Sequence, residues 1–250
     1  MKPTLTLLAA LLLTAFGAQA AESGPTPVSP RSAKVTVGPR ELIRGRENMP
    51  FVMDSTLATL RRDQDSWFFY HTVDWGNFNK QGPSGRRAAV ARAPVADVLK
   101  AARRGSVTPW RKFSDGTWEQ DGLTGYGSAV LPQPDLGPGH PIDLHADAAW
   151  NRAVSKYMLT SWCFGGGVGR LYLHLSDDAI HFEPPILIDE EPGQWMPYST
   201  FLTVEGDRET DDMNAVGAEF FLLINHKSAT NYAIDSLWRR KITVSPQPSR

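Results

Sequence analysis

The residues able to do chemistry sit where short apolar runs open and close. Asp54 stands in Met53-Asp54-Ser55-Thr56, and Asp147 follows His145 by two positions in His145-Ala146-Asp147. Side chains alternate along an extended strand, so His145 and Asp147 project to the same side. A carboxylate beside a neutral imidazole stays ionised and is able to act as a base or to shift the pKa of a neighbouring acid. The other reading of Asp147 is a turn cap or a ligand to a structural ion. The Ser176-Asp177-Asp178 segment reads as structural, because an aspartate that accepts backbone N–H bonds holds a tight turn between strands. Asp189-Glu190-Glu191-Pro192-Gly193 offers two further carboxylates as acid candidates, with a solvated loop as the alternative.

Other arrangements point away from specific chemistries. His71, His145, His174, His181 and His226 lie on different segments with no HxxxH or CxxC spacing, so no metal site is expected. Gly165-Gly166-Gly167-Val168-Gly169 lies between two strand-like runs and precedes no helix, which makes it a hairpin loop rather than a phosphate cradle. A Gly-x-Ser-x-Gly elbow is absent, which argues against an α/β-hydrolase. Cys163, the single cysteine, sits in the apolar run Leu159-Thr160-Ser161-Trp162-Cys163-Phe164 and reads as a buried, inert thiol.

The elements that must position these residues are strands. A first group pairs Ser55–Leu60 with Trp67–Thr72 across a polar turn, followed by Arg86–Ala93. A second runs Ala146–Trp150, a turn at 151–155, Lys156–Trp162 and Arg170–Leu175. A third runs Ser199–Val204, Glu219–Asn225 and Leu237–Val244. Each group passes from a polar opening and a short strand to an aromatic-rich strand: SWFFYHT, KYMLTSW, AEFFLLINH. Repetition of a multi-strand β unit is the sign of a propeller or related radial array, with a β-sandwich of similar hairpins as the plainer reading. Lys34–Leu42 is a lone preceding strand. Three groups leave strand edges to be covered, so residues 34–48 are expected to build a fourth sheet or the chain to pair with a second copy. Residues 94–140 interrupt the first group. Within them PVADVLKAARR places Val95, Val98, Leu99 and Ala102 on one helical face, with Pro94 as start and Gly105 as stop.

The N-terminus reads as a signal peptide over residues 1–20: Lys2, an apolar run from Leu5 to Phe16, then Ala18-Gln19-Ala20 as a small-x-small cleavage site. Residues 21–33 form a Pro/Ser-rich leader and residues 34–245 the folded domain. The expected location is secreted or periplasmic, with no membrane association after cleavage. Lysine plus arginine number 26 and aspartate plus glutamate 27, so no strong field recruits nucleic acid or an anionic membrane.

His145-Ala146-Asp147-Ala148-Ala149-Trp150-Asn151, Lys156-Tyr157-Met158 and Leu173-His174-Leu175-Ser176-Asp177-Asp178-Ala179-Ile180-His181-Phe182 together resemble the blades of five-bladed β-propeller glycosidases, the arabinanase and β-xylosidase type. Met53-Asp54-Ser55-Thr56 and Met196-Pro197-Tyr198-Ser199-Thr200 open in a similar way, and the resemblance spans roughly residues 50–245. It departs from the pattern at Ala179, where the family's turn carries glycine, and in a chain short for a full ring. The fold it implies is all-β: a five-bladed-type β-propeller, complete or lacking a blade, with one short inserted helix. The innermost strands of such a ring bring their first residues to one mouth. There Asp54 and Asp147 become the catalytic carboxylates, flanking a glycosidic bond at the ~6.5–9.5 Å separation an inverting hydrolase needs. His145, Trp150 and Tyr198 become substrate-binding residues, with Trp75, Trp150 and Trp195 able to stack on sugar faces. The implied partner is a polysaccharide or oligosaccharide, with no cofactor. A non-catalytic carbohydrate-binding or scaffold propeller is the alternative.

Overall fold

The computed structural model describes residues 33–44, 60–63, 66–74, 86–106, 110–122, 127–132, 147–204, 215–231 and 235–247. The expected signal peptide, most of the leader and of Ser55–Leu60, and Asp54, Trp75 and His145 lie outside them. Numbered in chain order, the strands form three five-stranded sheets. The first sheet holds β2 (Leu60–Asp63), β3 (Ser66–Asp74), β4 (Arg86–Pro94), β5 (Arg111–Ser114) and β6 (Thr117–Asp121), side by side in sequence order. The second holds β7 (Ala148–Asn151), β8 (Lys156–Gly165), β9 (Val168–Ser176) and β10 (Ile186–Pro192), with the short β13 (Ala215–Val216) beside β7. The third holds β12 (Ser199–Thr203), β14 (Glu219–Ser228) and β15 (Asp235–Pro246), with β11 (Gln194–Trp195) also on β14 and β1 (Ala33–Arg44) outside β15. Every pairing is antiparallel except β13 with β7. The described residues are thus predominantly β, with one helix, α1 (Val95–Arg104).

Burial follows the period of two. On β8, Met158 and Trp162 face one way and Tyr157 and Leu159 the other, and all four are buried. Met158 and Trp162 join Leu171, Leu173 and Leu175 of β9 in a core shared with Phe220, Leu222 and Ile224 of β14 and Ile242 and Val244 of β15. Tyr157 and Leu159 join a second core with Phe68 and Tyr70 of β3 and Ala88 and Val90 of β4. The second sheet therefore packs against the third through one face and the first through the other. That double burial is why β8 reads as a continuous apolar run rather than an alternating one.

Turn chemistry sets the connections. The β8–β9 hairpin closes through Gly166 and Gly167, both at positive φ as a tight two-residue hairpin turn requires, so the glycine run is the loop its sequence suggests. Beyond β9, the Asp178 carboxylate accepts from the backbone N–H groups of Ile180 (2.9 Å) and His181 (2.7 Å) and from the Ser176 hydroxyl (3.0 Å). Ala179 stands in the left-handed region at φ 65°. The Ser-Asp-Asp segment is the structural turn expected of it.

Several expectations are corrected. Residues 33–44 build no fourth sheet: β1 pairs along β15, where it satisfies an otherwise open edge and seats Val35 and Val37 against the core. Residues 94–140, expected to interrupt the first group, supply a hairpin, β5–β6, that extends the first sheet beyond β4 and is turned by Asp115 and Gly116 at positive φ. Helix α1 has the expected bounds, and Gly105 closes it in the left-handed conformation. Its face is rotated, however: Ala101 is buried, Val95 and Val98 are half-buried, and Leu99 and Ala102 are exposed.

β9 and β11 approach so closely that a Cβ at Gly169 would collide with the Gln194 carbonyl oxygen, which belongs to backbone and has little room to move. Gly169→Ala should destabilise the protein by about 1–3 kcal/mol or more, the range for forced overpacking. Denaturant unfolding monitored by circular dichroism measures this, and an unchanged midpoint would refute the close approach.

Candidate functional site

Asp147 precedes β7, and its backbone is fixed before its side chain is considered. Its N–H donates to the Thr160 hydroxyl (3.1 Å) and its C=O accepts from the Thr160 N–H (3.1 Å). The Ser199 hydroxyl donates in turn to Thr160 Oγ1 at 2.8 Å. The carboxylate then spans two sheets. Oδ1 accepts from the Ala148 N–H at 2.9 Å, and Oδ2 accepts from the Thr200 hydroxyl at 2.6 Å and the Phe201 N–H at 3.1 Å. The openings of the second and third strand groups, Asp147 and Ser199–Thr200, thus meet at one point.

Burial pushes the Asp147 carboxyl above the usual aspartate range, while the bonds from Thr200, Phe201 and Ala148 pull the other way without cancelling it. A carboxyl held in this way is an oriented acceptor that keeps its proton to higher pH than a free aspartate. Tyr198 lies next to this point, half-buried, with its carbonyl accepting from the Asn225 N–H at 2.9 Å. Trp150 is on the opposite side of β7. It packs edge-on against Tyr157 at 4.8 Å, in the core shared with the first sheet. The structure therefore joins Asp147 to the strand that follows Tyr198 and separates both from Trp150. Trp195 packs against Trp162 and Phe164. Asp54 and His145 lie outside the described residues.

A second polar centre escaped sequence reading. Asp189 on β10 has a fully buried side chain, yet receives the His226 Nε2 at 3.0 Å, Arg240 Nη2 at 2.7 Å and Arg40 Nη2 at 3.3 Å. Arg40 also reaches Glu191 at 2.7 Å and lies over the Trp238 ring at 5.3 Å. Burial alone would raise the Asp189 pKa, but the bonds from His226 and Arg240 and the two guanidinium charges hold it below the ordinary value. These groups come from β1, β10, β14 and β15, so only the assembled sheets reveal them. The one signal available beforehand was the acidic run 189–191. Its first residue is a buried anchor, and Glu191 is committed to Arg40.

Ser161 and His174 form a close pair, Oγ to Nε2 at 2.7 Å, but both are completely buried and no reactant reaches them. Cys163 is likewise buried, and burial pushes its thiol pKa up, consistent with inertness. Lys156 is buried too and bridges Asp177 (2.9 Å) and Glu183 (2.6 Å), pinning the turn after β9 to the start of β8. Among the described residues no group of three or more His, Cys, Asp or Glu side chains is placed to hold a metal ion.

Burial lowers the His174 pKa from 6.5 to about 4. The folded state binds that proton less readily than the unfolded chain, so this contribution to stability is complete above pH 6.5 and is lost as pH falls toward 4. The slope between those limits approaches about 1.4 kcal/mol per pH unit. Urea unfolding across this window should show the slope in the native protein and a shallower one in His174→Gln; equal slopes would remove His174 as the cause. No protein-family model matches this chain, and neither does any curated protein.

Proposed function

We propose that this chain is an extracytoplasmic glycan-binding protein of propeller type, which takes a polysaccharide or oligosaccharide where β7 and β12 open together. Three features support the architecture. Strands β2–β6 and β7–β10 each run as a meander that opens with a short strand, the three sheets stack face to face in chain order, and β1 extends the last one. The observation that carries the function is the Asp147–Thr200 junction. A carboxylate oriented by three donors from two sheets is fixed in advance for sugar hydroxyls, which need acceptors of defined direction.

A second reading is glycoside hydrolysis by Asp54 and Asp147. The raised pKa of Asp147 favours it, since an acid that keeps its proton suits protonation of a leaving oxygen or adjustment of a neighbouring acid.

Asp147→Asn tests both readings. An amide cannot accept from all three donors, so a lower melting temperature is expected, equivalent to about 1–3 kcal/mol. At a temperature where circular dichroism shows the variant folded, its affinity for a bound oligosaccharide, measured by calorimetry, should fall at least about tenfold, or 1.4 kcal/mol. Release of reducing ends by the native protein, abolished in the variant, would select hydrolysis. Native affinity in the folded variant, or no glycan bound by the native protein, would overturn the proposal.

A further inference from the structure

The third sheet repeats the double-sided pattern of β8 without the double-sided cover. On β14, Phe220, Leu222 and Ile224 are completely buried against the second sheet. Phe221 and Leu223, pointing the other way, are only half-buried. Leu202 of β12 lies opposite Phe221 and is 48% exposed. These three residues share one face, because directly opposed residues of an antiparallel pair project to the same side. Where β8 carries the same sequence pattern, both faces are filled.

The rim around this apolar centre identifies what would cover it. Arg239 and Lys241 of β15 lie beside Leu223 and Phe221, the Arg239 guanidinium reaching over the Phe221 ring at 4.6 Å, with Glu41 on β1 and Glu219 at the start of β14. Arg239 pairs with Glu41 at 2.6 Å and Lys241 with Glu219 at 2.9 Å, and all four side chains are nearly half exposed. The rim therefore has two charges of each sign and no net charge. A nucleic acid or an acidic protein would need an excess of positive charge. A two-fold axis, by contrast, sets the same patch against itself, with apolar centre on apolar centre and opposite charges able to meet at the rim. We infer that the outer face of the third sheet, centred on Leu202, Phe221 and Leu223, is an interface to a second copy of this chain.

Light scattering coupled to size exclusion measures the outcome on the purified protein. Twice the chain mass is expected for the native protein. Leu202→Arg alters an exposed side chain, so it should keep the native melting temperature while raising the dimer dissociation constant at least about tenfold. Arg239→Glu should weaken the dimer independently, and adding Glu41→Arg to it should restore the native mass. A native protein of single-chain mass at the highest soluble concentration overturns the inference. So does a dimer that Leu202→Arg and Arg239→Glu both leave intact.

Discussion

β8 and β9 present apolar side chains to both sides at once, and that obligation organises the rest of the molecule. A sheet with one wet face closes its core with a single partner; a sheet apolar on both faces needs two. The first and third sheets are those partners, and their own patterns follow. Phe68, Tyr70, Ala88 and Val90 alternate toward the second sheet from one side, and Phe220, Leu222 and Ile224 from the other. At roughly 25 cal/mol per Å2 of apolar surface removed from water, such stacking is the dominant favourable contribution available to a chain whose single cysteine forms no disulfide.

Between the stacked sheets, polar groups appear where alignment must be specified. Asp147 fastens the start of β7 to β12, and Asp189 gathers His226, Arg240 and Arg40 around one buried carboxylate. Burying these charges adds little net stability, since desolvation offsets most of the Coulombic attraction unless every lone pair is satisfied. What they provide is a directional fit: an apolar face slides over its neighbour at small cost, but a carboxylate with three donors accepts one placement. The pairs also divide the chemistry. Asp189 is enclosed and held ionised, whereas Asp147 lies near the surface at an edge shared by two sheets.

Most of the strands were legible in the sequence because their signals are local. Aromatic and β-branched runs marked β3, β8, β9, β14 and β15, and Pro94 and Gly105 bracketed the helix. The β5–β6 hairpin was missed although Asp115-Gly116 is a strong turn signal, because the flanking residues (RKFS and TWEQD) carry too few apolar side chains to read as strands. β10 was hidden behind Pro184 and Pro185 and by its acidic second half, and β13 is only two residues long. The helix face was misjudged because hydrophobicity alone favoured Leu99, whereas the residue that the fold buries is the small Ala101. The Asp189 centre was out of reach for a different reason. Its members lie on different strands, His226 and Arg240 standing 37 and 51 positions from Asp189 and Arg40 149 positions before it, and no local pattern links them.

The pairing of β1 with β15 has a consequence for how the molecule is made. Arg240 reaches the Gly38 carbonyl across 202 positions of sequence, so among the described strands the earliest in the chain pairs with the latest. Contacts this distant bear the largest loop-closure cost and form late. Strands β2–β6 and β7–β10 are local meanders, free to assemble as the chain lengthens, while β1 waits as an unpaired strand. During that interval its backbone donors and acceptors are open to any other edge, and the alternation of Val35 and Val37 with Lys34 and Thr36 limits it to partners that offer one apolar face. Completion of the third sheet is thus a checkpoint: β1 and β15 lock together only after the segments between them have been produced.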